Sequence, residues 1–293
     1  MLTNRELKEY ITKSNDEFKQ NGASNAFKQI CKLILEDANI SQVIEFAKNV
    51  EGVDILPFSK YVLENGNVQQ NLELMCIHGC DSKAHRDFII DSQDIEYNLK
   101  AGKVRDNYFE EYTNRHGDIV VKGSAYQNYK YLEHNKSKKL NRQRHLDVII
   151  NSKNASLIVQ CAKNIEGIDI GALEKVIIDS KNIRANILFA GISGADVKAH
   201  LDVALQFGDS CDNFDVLKEF GNKCDMQKHA LAVFKSKNNE DKYNCLMWLR
   251  KAGIVEQFAS CKEMQKFIRD LDAGKIKLDY DLIDEDEYNV YTR

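Results

Sequence analysis

Proline is nearly missing from this chain: Pro57 is the only one in 293 residues, beside 15 glycines. Proline-rich linkers and polyproline segments are thereby excluded, and helix can follow helix without rigid breaks. Tryptophan is equally scarce, with Trp248 alone. No run approaches the roughly 18 consecutive apolar residues of a membrane-spanning helix, and Met1 to Lys8 carry no apolar core of the kind secretory signals use, so the chain reads as cytoplasmic. Eight cysteines stand at 31, 76, 80, 161, 211, 224, 245 and 261 without any Cys-x-x-Cys pair. They read as reduced, small core side chains rather than as a disulfide framework. An excess of one charge is missing too: 41 basic against 45 acidic residues, a net of −4, singles out neither nucleic acid nor membrane. With 43 % apolar and 29 % charged residues the chain is a core-forming one, not a disordered one. No Walker loop, Gly-x-Gly-x-x-Gly, His-Glu-x-x-His or Gly-x-Ser-x-Gly occurs, so no reaction centre is marked and no enzyme is expected.

What the sequence does hold is self-similarity. Phe46-Ala-Lys-Asn-Val-Glu-Gly-Val-Asp-Ile55 returns as Cys161-Ala-Lys-Asn-Ile-Glu-Gly-Ile-Asp-Ile170. Each copy leads to an aliphatic pair, and such pairs continue along the chain: Ile34-Leu35, Val62-Leu63, Ile89-Ile90, Val120-Val121, Ile149-Ile150, Ile177-Ile178, Ala204-Leu205 and Val233-Phe234. Their second members are 28, 27, 31, 29, 28, 27 and 29 residues apart, a register that chance does not hold. Asp54, Asp81, Asp169, Asp196 and Asp225 stand where a helix should begin, as caps for the orphan N–H groups of a first turn. From Asp169 the residues Ile170, Leu173, Val176 and Ile177 recur at helical spacing until Ser180-Lys181-Asn182, where Asn182 opens a second helix. Gly52, Gly79, Gly167 and Gly194 close their units.

A helix pair this short cannot bury its apolar face alone and must stack on its neighbours. The spacing predicts an all-α fold, an α-solenoid of about eight two-helix, HEAT-like repeats over residues 23–249. The fourth unit, about 96–145, is the longest. Residues 1–22 and 250–272 read as capping helices and 273–293 as an acidic tail, with no second globular domain. The phrase Ala-Lys-Asn-Ile-Glu-Gly-Ile-Asp-Ile, with its aliphatic pair and Ser-x-Asn, resembles short helical-repeat stretches in proteins of low-GC bacteria and their phages. That resemblance spans roughly residues 23 to 240 and implies a HEAT-like architecture. Its phage association implies an inhibitor of a host defence system such as a CRISPR nuclease.

Two ladders of polar residues run through the units. Five of the seven histidines (His85, His116, His145, His200 and His229) share one position, which Ile30, Phe58 and Leu173 fill elsewhere. A position shared with Ile, Phe and Leu faces the core, so the expected role is a packed ring bonded to a neighbouring helix. His85, His145 and His200 each have an Asp two residues on, but residues at i and i+2 do not face each other on a helix. Asn71, Asn98, Asn128, Asn186, Asn213 and Asn244 recur in the second helices. Their amides can satisfy backbone groups at helix junctions, or line a groove that reads bases. Cys76-x-His78-x-Cys80 matches no standard zinc spacing, and no metal or other cofactor is expected.

Residues 122 to 145 carry the strongest local charge: Lys122, Lys130, Lys136, Lys138, Lys139, Arg142 and Arg144 against Glu133 alone, with Tyr126, Tyr129 and Tyr131 interleaved. Cations for phosphates beside rings for bases are the ingredients of single-strand nucleic-acid sites, while a charge run is also an ordinary solvated face. The leading expectation is a non-catalytic scaffold that blocks or recruits a macromolecular partner, a protein first of all. The alternatives are a nucleic-acid-binding solenoid working through the basic fourth repeat, and a DNA glycosylase-like helical-repeat enzyme using Trp248 beside Arg250.

Overall fold

The computed structural model describes residues 2–106, 108–137 and 139–278. Lys138 and the acidic tail from Asp279 onward lie outside the described residues. Among those described the chain is all-helical, and its contacts gather into two units, Met1–Ser152 and Lys153–Arg293. The first holds α1 (Asn4–Asn21), α2 (Asn25–Asp37), α3 (Ile40–Asn49), α4 (Ile55–Asn65), α5 (Val68–Met75), α6 (Ser82–Asp91), α7 (Ile95–Ala101), α8 (Phe109–Val120), α9 (Ala125–His134) and α10 (Arg142–Asn151). The second holds α11 (Ala155–Asn164), α12 (Ile170–Ser180), α13 (Ile183–Ala190), α14 (Val197–Phe207), α15 (Ser210–Phe220), α16 (Met226–Lys235), α17 (Asn239–Lys251) and α18 (Lys262–Asp272). Within each unit the substantial contacts join helices one or two apart in the chain.

The aliphatic pairs mark the even-numbered helices from α2 to α16, and the first member of every pair has 0 % of its surface exposed. A matching position lies on the odd helices from α3 to α17, seven residues after the cap: Phe46, Leu74, Ala101, Tyr131, Cys161, Phe189, Val216 and Cys245 are all fully buried. These two positions are the spine of the core.

The expected caps form. Asp54 accepts from the Leu56 N–H at 3.2 Å, Asp81 from Ala84 at 3.1 Å, Asp169 from Gly171 at 3.0 Å, Asp196 from Ala199 at 3.1 Å and Asp225 from Lys228 at 3.2 Å. Pro57 sits in the first turn of α4, where its missing N–H leaves no bond unmade. The four closing glycines have φ between 71° and 90°, a conformation in which a Cβ would be strained. The segment 250–272 differs from a single capping helix. Gly253 turns the chain at φ 68°, a 3-10 turn over Val255–Phe258 buries Phe258, and only then does α18 begin.

None of the eight cysteines is in a disulfide, but they are not uniformly core residues. Cys161 and Cys245 are buried, whereas Cys76 and Cys211 are exposed at helix ends. No helix among the described residues is long and apolar enough to cross a membrane.

Candidate functional site

The two polar ladders are one. Each of Asn71, Asn98, Asn128, Asn186 and Asn213 stands four residues past the cap of an odd helix, and its Nδ2 donates back to the cap carbonyl at 2.7–2.9 Å. In Asn98, Asn128 and Asn186 the same amide also reaches the carbonyl of the buried aliphatic on the preceding helix, at 3.0 Å, 3.2 Å and 3.0 Å. With Nδ2 committed as donor, Oδ1 must accept. It does so from the histidine of the next even helix: His85 Nδ1 at 2.7 Å, His116 at 2.8 Å, His145 at 2.6 Å, His200 at 2.7 Å and His229 at 2.7 Å. All ten side chains are 2 % exposed or less. Where Val43 and Ile158 take the asparagine position, Phe58 and Leu173 take that of the histidine. Polar partner goes with polar partner and apolar with apolar. Asn244 is not a rung: it stands six residues past its cap Asn238, and its buried Oδ1 has no partner.

Because Nδ1 donates, the neutral ring offers Nε2 as an acceptor. A single position on the preceding even helix, three residues before the buried aliphatic, supplies what faces it. Ser59 Oγ donates to His85 Nε2 at 2.9 Å and Arg86 Nη1 to His116 Nε2 at 3.1 Å. Gly117 leaves space, since a Cβ there would lie 3.1 Å from His145 Nε2. Burial pushes His85 and His145 down to about 4, and burial together with the Arg86 charge pushes His116 to about 3. At His200 the facing atom is Glu174 Oε1, 3.3 Å away, so acceptor meets acceptor. Burial lowers this ring's pKa while Glu174 and Asp196 pull it upward. Glu174 Oε1 also takes the Asp196 N–H at 2.5 Å.

No His-Asp dyad forms at the tempting pairs. Asp87 turns to Arg115 at 2.6 Å and to the Tyr112 hydroxyl at 3.0 Å, and Asp118, a fourth Asp at this offset, pairs with Arg144. Arg86 is the functional-looking residue that sequence reasoning missed. It is the largest fully buried side chain, and all five of its N–H groups are met. Nε and Nη2 clasp Asp106 at 3.1 Å and 3.0 Å, Nη1 reaches Ala101 O at 3.2 Å as well as His116, and Nη2 reaches Val104 O at 2.8 Å. It thereby pins the α7–α8 connection, beside the longer start of α8, which begins eleven residues before its buried Val120 where α6 and α10 begin seven before Ile89 and Ile149. Its signal was an arginine at a position that Leu146, Leu201 and Ala230 fill elsewhere.

The basic stretch divides between core and surface. Tyr131 is fully buried, its hydroxyl donating to Thr113 O at 2.6 Å, and Tyr129 is 2 % exposed with its hydroxyl 2.5 Å from Glu133 Oε1. Neither ring is open for a base to stack on. Tyr126 is 57 % exposed. Lys130 pairs with Glu133 at 2.6 Å and lies 5.7 Å from the Tyr126 ring centre, Lys122 donates to Gln93 at 2.8 Å, and Arg144 pairs with Asp118. Lys136 and Lys139 are exposed, Arg142 is half-buried and bonded within the protein, and Lys138 lies outside the described residues.

The remaining sequence candidates are drawn into local structure. The Cys76 and Cys80 thiols donate to Leu72 O and Met75 O, both at 3.4 Å, and burial pushes the Cys80 thiol up to about 11. Trp248 packs edge-on against Phe214 with ring centres 6.4 Å apart. Among the described residues no cluster of three His, Cys, Asp or Glu side chains is placed to hold a metal. Comparison with known proteins adds no relative: no family model, no curated protein and no solved structure matches the chain.

Proposed function

We propose that the chain is a non-catalytic scaffold of eight two-helix, HEAT-like repeats of an α-solenoid, flanked by helical caps, that binds a macromolecular partner, and that this partner is a protein. The observation that carries this reading is the state of the α8–α10 surface. Of its four tyrosines, Tyr112, Tyr126, Tyr129 and Tyr131, only Tyr126 is exposed, and Lys122, Lys130 and Arg144 already bond acceptors of the protein itself. An exposed aromatic ringed by partly neutralised charge suits the anchor-and-rim pattern of protein interfaces better than a phosphate track. Eight cysteines without a disulfide fit a reducing compartment, the cytoplasm in our reading. The narrower expectation, an inhibitor of a host defence nuclease, rests on the sequence resemblance alone.

An affinity pull-down from lysate of the source cell, split into nuclease-treated and untreated halves, tests the proposal. One near-stoichiometric protein should survive nuclease and be lost with Tyr126→Ala combined with Lys136→Glu and Lys139→Glu. Nucleic acid recovered alone, lost on nuclease treatment and weakened steeply by salt, would replace this reading with the nucleic-acid one.

A further inference from the structure

The last odd helix departs from the ladder, and the residue that departs borders a cavity of its own. Four residues past the cap, where five odd helices place asparagine and two place an aliphatic, α17 places Lys242. α18 carries no histidine that an amide could meet. The Lys242 ammonium lies 5.7 Å from the centre of the Phe267 ring and borders a cavity of about 400 Å³. Lys235 and Lys266 line the same cavity, together with Ser236 and Asn239 at the head of α17, and the buried rings Phe234 and Phe267 form its apolar part.

Two carboxylates also reach this space. Asp270 is engaged by Lys275 at 3.9 Å, and Glu263, though it lines the cavity, is not ion-paired with any of the three lysines. Lys242 is half-buried while Lys235 and Lys266 are exposed at the rim, and among the described residues none of the three makes an ion pair, in contrast to the half-buried Lys130, which is matched by Glu133. Burial and the nearby Lys266 hold the Lys242 ammonium below its ordinary pKa, as befits a cation facing another without a counter-charge.

We propose that this cavity is an anion-binding site that takes a phosphate or carboxylate group between Lys235, Lys242 and Lys266, beside the head of α17. Ammonium groups suit such an anion as charge-assisted donors. The shared chemistry has two sources. One is a free phosphate. The other is the chain's own segment 279–293, which holds six acids against Arg293 and begins three residues past Ile276, itself a cavity residue. The inference stands apart from the protein-partner reading, which concerns α8–α10.

The test uses the full chain with its lysines reductively ¹³C-methylated, a change that keeps their charge. Inorganic phosphate is titrated in while the Lys242 methyl signal, assigned by its loss in Lys242→Met, is followed by NMR. A parallel full-length variant carries amides in place of the six acids of 279–293. A saturable shift in both proteins, weakened about tenfold by Lys235→Gln with Lys266→Gln, is the result for a site that takes free phosphate. A saturable shift in the amide variant alone, with Lys242 already displaced in the parent, assigns the site to the chain's own carboxylates. An unsaturated drift in both, equal to that of the surface residue Lys60, overturns the proposal. Circular dichroism of Lys242→Asn, which restores the ladder's own residue type, separates loss of binding from loss of fold.

Discussion

Glu174 sets His200 apart from its relatives. A proton gained at Nε2 of His85, His116 or His145 meets a hydroxyl, a cation or a gap, whereas at His200 it completes a bond to a carboxylate. His200 should therefore take up its proton at a higher pH than those three, as read from ring chemical shifts in a pH titration, and Glu174→Gln should abolish the difference. The three rings pushed down to about 3 to 4 also make stability depend on pH. Unfolded, they titrate near the ordinary value of about 6.5. Folded, they titrate at about 3 to 4, so the unfolded state binds more protons in between. Their contribution is complete above about pH 6.5 and is lost as pH falls toward about 4, which urea midpoints measured from pH 7.5 to 4.5 will show. A cycle on one rung isolates its worth: Asn71→Val or His85→Phe alone strands a buried polar partner and should cost about 1–3 kcal/mol in chemical denaturation. The double change copies Val43 and Phe58 and should cost less than the sum of the two. The histidine position is legible in the sequence because Ile30, Phe58 and Leu173 share it. Its partner is not, because the asparagine lies 14 to 18 residues away and the spacing varies with each loop.

At the scale of the element, helix starts are the most legible feature, since an Asp or Asn before an apolar run has one local task and performs it at Asp54, Asp81, Asp169, Asp196 and Asp225. The basic fourth unit is legible as a composition but not as a surface. Aligning the odd helices by their caps puts Tyr131 level with Phe46 and Phe189, and Tyr129 level with Leu99 and Ile187, all core residues. Charge drew attention to the stretch, while register decided which of its rings are hidden. The α7–α8 connection depends on one side chain in a way no local pattern announces. Arg86→Met should destabilise the protein by about 3 kcal/mol, because Asp106 and two carbonyls lose their donor together. Amide hydrogen exchange should quicken in residues 102–106 before it does in α6 or α8. Arg86→Lys should not rescue, since one ammonium cannot reproduce five donors in a planar fork.

For the molecule as a whole, contacts between near neighbours in the chain predict unfolding that is not all-or-none. Trp248 is the only tryptophan and lies in the second unit, so its fluorescence reports there alone. In Arg86→Met the loss of far-ultraviolet helix signal should begin at lower denaturant than the Trp248 transition, and coincident curves would contradict a local mode of unfolding. The chain's ladder also says something about how such a protein changes length. From α3 to α15 each odd helix carries, four residues past its cap, one of two fittings, amide or hydrocarbon, and the following even helix carries the matching one. Whole units can thus be excised or duplicated only between like fittings: a deletion that joins the Asn71 helix to the His116 helix keeps a legal joint, whereas one that joins Val43 to His85 leaves an imidazole with nothing to hold.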